Sequence, residues 1–161
     1  MATEQTARPA RHDMGVGAVL KGTLTAATRA IDEMLERPIS RLGLTLAESD
    51  VLTVVLLGED QTAAPTDLAE LLGLTTAGLT GRLNSLAKRE LIERHPHPSD
   101  GRRLIVHLTD EGEALARQVL DIKNELLTEI AVSELGEDRA RQLIADLTVV
   151  LDASRRISPG R

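Results

Sequence analysis

Pro65-Thr66-Asp67-Leu68-Ala69-Glu70-Leu71-Leu72-Gly73-Leu74-Thr75-Thr76 is the stretch on which the fold turns. Pro65 suits the first position of a short helix, where its missing N–H would go unpaired anyway, and Gly73 suits the C-terminal cap. Thr75 or Thr76 then caps a further helix running to about Arg89, by offering a side-chain oxygen to a free N–H of the first turn. Two helices are thereby joined through Gly73-Leu74-Thr75, a three-residue connection containing glycine. That is the helix-turn-helix signature.

Downstream, Leu91 to Arg94 and Leu104 to Leu108 read as two short strands. Between them His95-Pro96-His97-Pro98-Ser99-Asp100-Gly101 is dense in turn residues, with Asp-Gly a strong hairpin signal. A hairpin directly after the second helix of such a pair is a wing. Thr109 caps a long helix, with Asp110 and Glu111 favouring its positive N-terminal end. Leu115, Val119, Ile122, Leu126 and Ile130 form its apolar stripe. A last helix, about Glu137 to Ser154, carries Ala140, Leu143, Ile144, Leu147, Val150 and Leu151.

Upstream, Thr45-Leu46-Ala47-Glu48 is a capping box opening a helix that ends near Gly58. A polar loop follows from Glu59 to Ala64. From Met14 to Glu36, apolar residues at Val16, Leu20, Leu24, Ala27, Ile31 and Met34 have the spacing of an amphipathic helix. Pro38 is expected to stop it. Met1 to Asp13 reads as a disordered polar arm without a signal-peptide core. No apolar run approaches the roughly 20 residues of a membrane span, so the expected location is the cytoplasm.

The chain of 161 residues holds no cysteine and no Phe, Tyr or Trp. Disulfides, thiolate metal sites and thiol redox sensing are thus excluded. A core of Leu, Val, Ile, Ala and Met suits packed helices, and the lack of rings counts against single-stranded nucleic acid, whose bases stack on aromatics. Net charge is −6, yet Thr75 to Arg103 carries six cations and three anions, a local +3 that leaves −9 for the rest. An acidic body with one basic stretch fits a localised phosphate-binding face.

Projected at 100° per residue, the helix after the turn puts Leu79, Leu83 and Leu86 on one side. Ala77, Gly81, Asn84 and Lys88 fall opposite, flanked by Thr76, Gly78, Thr80, Ser85 and Arg82. Small, polar and cationic residues permit close approach to a major groove, where Asn84 matches adenine and Lys88 guanine or phosphate. Arg102 and Arg103 follow the tight turn, and arginine at a loop tip suits a narrow minor groove. Asp100 is placed to hold one of these side chains in position.

These segments together resemble the MarR (multiple antibiotic resistance regulator) family. Asp100-Gly101-Arg102-Arg103 followed by Leu108-Thr109-Asp110-Glu111-Gly112 is similar to that family's wing and exit. Asp67 to Thr75 resembles the first helix of its pair, and Leu79-Thr80 through Leu86 to Leu91-Ile92-Glu93-Arg94 its recognition helix and first wing strand. The likeness spans about Leu44 to Gly112. It implies a recognition helix at about 76–89 in the major groove, a wing at about 94–104 in the minor groove, and Asp100 orienting that wing. Thr80-x-Arg82-Leu83-x-x-Leu86 further resembles the branch responding to urate and related small acids. There Asp50 takes the place of an acidic residue linked to ligand, but that branch's first-helix tryptophan is missing here. Gly81 stands where the family usually has Arg or Lys, Ser85 where it often has Arg, and Glu90 where it usually has a glycine after the helix. Fewer cations imply weaker or more wing-dependent binding.

The resulting expectation is a mainly α winged helix-turn-helix with a small β-hairpin wing. Residues 1–13 form an arm, 14–43 an N-terminal dimerisation helix and linker, 44–109 the DNA-binding region, and 110–161 C-terminal dimerisation helices and tail. A homodimer matches a pseudo-palindromic operator in double-stranded DNA. By the resemblance, a small-molecule effector relieves repression from a crevice near Asp50, Arg29 and Arg82. No cofactor is implied. His95, His97 and His107 cluster in sequence, but prolines separate them and no third ligand type joins them, so no metal site is assigned. Phosphate-cradling loops, nucleophile elbows and zinc-protease motifs are absent, which argues against an enzyme. The rival reading is a winged-helix module that has lost DNA and binds a protein instead.

Overall fold

A computed structural model describes residues 15–97 and 100–157, with only the backbone described at His97, Asp100, Gly101 and Arg102. The arm expected over 1–13 also lies outside the described residues. The chain divides into two units after Leu46.

The first unit holds α1, Val16–Arg41. It runs three residues past Pro38, which corrects the expected stop. Proline costs about 3 kcal/mol in a helix interior, but Leu35 and Ile39 lie one turn apart and are both buried. Each such burial is worth roughly 1.5–3 kcal/mol, enough to carry the helix through. Its end comes at Leu42 and Gly43, whose N–H groups donate to the carbonyls of Ile39 and Ser40.

The second unit takes up α2, Leu46–Leu57, from its second residue onward. A 3-10 turn at Glu59–Gln61 leads to β1, Thr62–Ala63, then to α3, Pro65–Leu71, and α4, Thr76–Lys88. The hairpin strands are β2, Ile92–His97, and β3, Asp100–Leu108. Two long helices follow, α5, Asp110–Leu135, and α6, Glu137–Ile157. The sheet is antiparallel in the order β1-β3-β2. This is the winged helix-turn-helix expected of the sequence, mainly α with a small wing.

Local chemistry accounts for the joints. Pro65 opens α3. At its end Leu74 N–H donates to Ala69 O at 2.8 Å and Gly73 N–H to Glu70 O at 3.2 Å, while Gly73 has φ +62°. That is a Schellman close, which needs a left-handed residue where glycine meets no Cβ penalty. Thr75 Oγ1 accepts from Gly78 N–H at 3.1 Å and caps α4. Thr109 Oγ1 does the same for α5 through Gly112 N–H at 3.0 Å.

One strand was not expected. Thr62 and Ala63, read as polar loop, pair with His107 and Val106 of β3. Two residues are too few for alternation to show. The hairpin strands also run further than expected, His97 pairing with Asp100 after an irregularity between Pro96 and His97. Val51, Leu52 and Val55 of α2, Leu68 of α3, Leu79, Leu83 and Leu86 of α4, Val106 of β3 and Val119 of α5 are all buried.

Candidate nucleic-acid interface

Leu79, Leu83 and Leu86 fix how α4 is turned, because burying them leaves the opposite side outward. Thr76, Ala77, Thr80, Gly81, Asn84 and Lys88 are accordingly exposed, and Gly78, Arg82 and Ser85 are half-buried at the margins. The expected face therefore divides into groups that are free to be read and groups already engaged. Thr80 Oγ1 donates back to Thr76 O at 2.7 Å, keeping its lone pairs outward. Arg82 folds along its own helix and donates to Gly78 O at 3.0 Å. Ser85 Oγ donates to Glu48 Oε1 of α2 at 2.5 Å, and Arg89 stands 3.8 Å from the other oxygen of the same carboxylate.

Asn84 is the most informative member of the face. Arg94 of β2 donates from NH2 to its Oδ1 at 2.8 Å. Arg94 is half-buried, two residues on from buried Ile92, and opposes buried Val106 across the ladder. The sequence counted Arg94 only as a cation at a strand end. The period of two from Ile92 was the signal that it shares the inner side of the hairpin. Its Nε is buried without a hydrogen-bond partner among the described residues.

Of the wing residues, Arg103 is exposed on β3. The side chains of Arg102 and Asp100 are outside the description, so the expected orienting contact is not on view. On the outer side of the hairpin, His95 Nε2 stands 2.8 Å from Glu93 Oε2 and its ring meets His107 edge-on at 5.0 Å. Among the described residues no three potential metal ligands converge. His97 lies outside the described side chains.

Each of the three residues expected near an effector has a partner of its own. Arg29 pairs with Glu33 on α1 at 3.4 Å, both well exposed. Arg82 is on Gly78, as above. Asp50 Oδ1 of α2 accepts from Lys123 Nζ of α5 at 2.7 Å, and Thr53 Oγ1 lies 3.4 Å from the same ammonium. Lys123 was missed, although it follows buried Ala116 and Val119 at helical spacing on the inner side of α5.

A family model described as the MarR family matches residues 42–103. The transcriptional regulator PecS of Dickeya dadantii is 32% identical over 122 residues, 73% of this chain and 74% of that protein. The chain belongs to the MarR family. With that family it falls among DNA-binding transcription regulators rather than enzymes. The multiple antibiotic resistance protein MarR of Escherichia coli is 29% identical over 121 residues, 75% of this chain and 77% of that protein. A mutant MarR from E. coli crystallised with operator DNA superposes with a TM-score of 0.69 at 27% identity, over 82% of this chain and 93% of that one. AbsC of Streptomyces coelicolor shares the fold, with a TM-score of 0.75 at 20% identity over 88% and 97% of the two chains. The MarR-family wing and exit motif has a steric reason here. A Cβ on Gly112 would stand 1.8 Å from the backbone oxygen of Leu91.

Proposed function

We propose that this MarR-family chain reads a pseudo-palindromic operator as a homodimer, with α4 in the major groove and the hairpin in the adjacent minor groove. The outward side of α4 carries this reading. Thr76, Ala77, Thr80, Gly81, Asn84 and Lys88 are exposed there opposite three buried leucines, so small side chains admit the duplex and Asn84 and Lys88 reach it. Lys88, Arg102 and Arg103 supply the cations, and Asp100 orients the wing. Arg82 and Ser85 contribute less than their position suggested, since both are hydrogen-bonded within the chain.

A second copy is called for by two-fold operators. Its contact falls on the terminal helices, 14–43 and 110–161, with 44–109 as the reading region. Leu143, Ile144, Val150 and Leu151 on α6 and Val16, Leu20 and Ile31 on α1 are exposed large apolar residues in the single chain, as a subunit interface would leave them. The regulator represses, and a small-molecule effector relieves it. Of the three residues expected to meet the effector, Asp50 is retained, now with Lys123, because an anionic ligand would compete directly for that ammonium. The protein works in the cytoplasm; among the described residues no helix is long and apolar enough to cross a membrane.

The test is a titration into the upstream intergenic DNA of its own gene at two salt concentrations, beside Arg102→Ala and Lys88→Ala. Counterion release predicts that log affinity falls with log salt, with a slope near −0.9 per phosphate contact. Lys88→Ala, removing one contact per protomer, should reduce the slope by about 2 and Arg102→Ala should largely abolish binding. Salt-independent or absent binding, even at low salt, would favour the protein-interaction module instead.

A further inference from the structure

Asn84 of α4 and Arg94 of β2 are joined by a side-chain hydrogen bond. A guanidinium carries only donors. The Asn84 atom that Arg94 meets at 2.8 Å is therefore the carbonyl oxygen, and the amide nitrogen with its two hydrogens is the atom left free. Arg94 stands on β2 and not on the helix that carries Asn84. It is half-buried on the inner side of β2, between the buried Ile92 and the ladder partner Val106. A planar fork held in this way fixes the plane of what it binds.

Reading adenine through both its edge groups needs an asparagine that accepts from N6 and donates to N7 at once. Arg94 takes one of the two lone pairs of the amide oxygen, and the positive charge beside the other opposes an incoming amino group. We propose that Arg94 is a specificity-determining positioning residue, which holds Asn84 as a donor-only reader and directs it to guanine or thymine in place of adenine. Guanine offers O6 and N7 and thymine O4, all acceptors. This replaces the adenine match that the sequence suggested, and it rests on the reading that α4 lies in the major groove.

Selection from a randomised duplex pool tests it, using the full-length wild type with Asn84→Ala, Arg94→Met and Asn84→Asp. The position Asn84 reads is the one whose preference disappears in Asn84→Ala. Wild type should favour guanine or thymine there by roughly tenfold. Arg94→Met releases the amide, so the preference should move to adenine at that one position while the others stay. Asn84→Asp keeps the bond to Arg94 but turns an acceptor outward, and should favour cytosine, whose N4 donates. Should Arg94→Met fail to fold by its melting curve, the wild-type preference decides alone, guanine or thymine supporting the role of Arg94 and adenine overturning it. A wild-type preference for adenine, an unchanged preference in either folded variant, or no lost position in Asn84→Ala would overturn the role of Arg94. If wild type enriches no sequence at all, the DNA reading falls and takes this one with it.

Discussion

Ser85 on α4 and Glu48 on α2 share a 2.5 Å hydrogen bond between hydroxyl and carboxylate, across 37 residues of sequence. Glu48 is buried, and Arg89 approaches its second oxygen. The carboxylate thus ties the reading helix to the helix behind it. Replacing it with alanine takes the partner from the half-buried Ser85 hydroxyl, at about 1 kcal/mol. Glu48→Ala should therefore melt about 2–4 °C lower per kcal/mol lost, measured at one protein concentration because a dimer's melting depends on it. Ser85→Ala should change DNA affinity far less than Lys88→Ala. A larger loss in Ser85→Ala would show that its hydroxyl is read after all.

Gly112 is required by the approach of α5 to Leu91. The clash that a Cβ would make is with a backbone oxygen, which cannot swing aside as a flexible side chain would. Thr109 N–H also donates to Leu91 O at 3.2 Å and Thr109 Oγ1 to Glu90 O at 2.7 Å, so shifting one element breaks the joint. Gly112→Ala should cost about 3 kcal/mol, at the upper end of overpacking. Urea unfolding of the two proteins side by side measures it, and equal midpoints would refute the steric account.

Glu90 closes α4 in the left-handed region, at φ +57°. Its N–H donates to Ala87 O and the next N–H, of Leu91, to Leu86 O, both at 3.0 Å, the same Schellman geometry that Gly73 makes after α3. A side chain in that conformation costs roughly 1–2 kcal/mol. Glu90→Gly should stabilise the protein by about 1 kcal/mol once glycine's greater freedom in the unfolded chain is set against it. A destabilised variant would mean that the Glu90 side chain makes contacts outweighing its backbone strain.

The Asp50–Lys123 pair is asymmetric, with the ammonium only 14% exposed and the carboxylate 49%. Asp50→Asn leaves a mostly buried cation without its counter-charge, which costs more than the pair itself contributes. Discounted for the exposure of Asp50, the loss should be about 1 kcal/mol. Lys123→Met should be nearly neutral, and Asp50→Asn should cost little in its presence. If Asp50→Asn is as harmful with methionine at 123 as with lysine, the pair is not what matters at Asp50.

Glu113 links α5 to the turn before β1. Arg117 donates to its Oε1 from two nitrogens, at 2.6 and 2.9 Å, and Gln61 Nε2 at 3.3 Å. The hydrogen bond from Arg117 holds its pKa below the ordinary 4.5, because it favours the charged form. The folded value is the depressed one, so the stabilisation is present above pH 4.5 and is lost as pH falls through the folded pKa. Relative to wild type, Glu113→Gln should melt lower at neutral pH, and the gap should close below about pH 4.5. A gap that stays constant down to pH 3 would rule out this carboxylate as a contributor to acid lability.

The expected face of α4 shows how far a sequence reaches. Its leucine spacing correctly gave the buried side, and with it every residue that is exposed opposite. Position on a helical wheel does not tell where a long or polar side chain finds its partner. Ser85 and Arg82 were placed on that face by angle alone, and each also finds an acceptor within the chain. Arg94 and Lys123, taken as surface charge or passed over, lie on inner sides that the period of a strand and of a helix would have indicated.

What the sequence determined by itself is whatever is written in neighbouring residues. Pro65, Gly73 and Thr75 set the turn between α3 and α4, Thr109 set the start of α5, and the leucines set the inward faces. Each rests on backbone chemistry or periodicity within a few residues. Only the tertiary structure decided the two-residue strand at Thr62, the passage of α1 through Pro38, and the partners of Glu48, Asp50 and Asn84. A strand so short is stabilised by the ladder it joins and not by its own pattern, and a proline is carried by the burial around it. Glu48 and Asp50 meet groups 37 and 73 residues away. Such contacts form because packed elements bring them together, and local sequence carries no record of that distance.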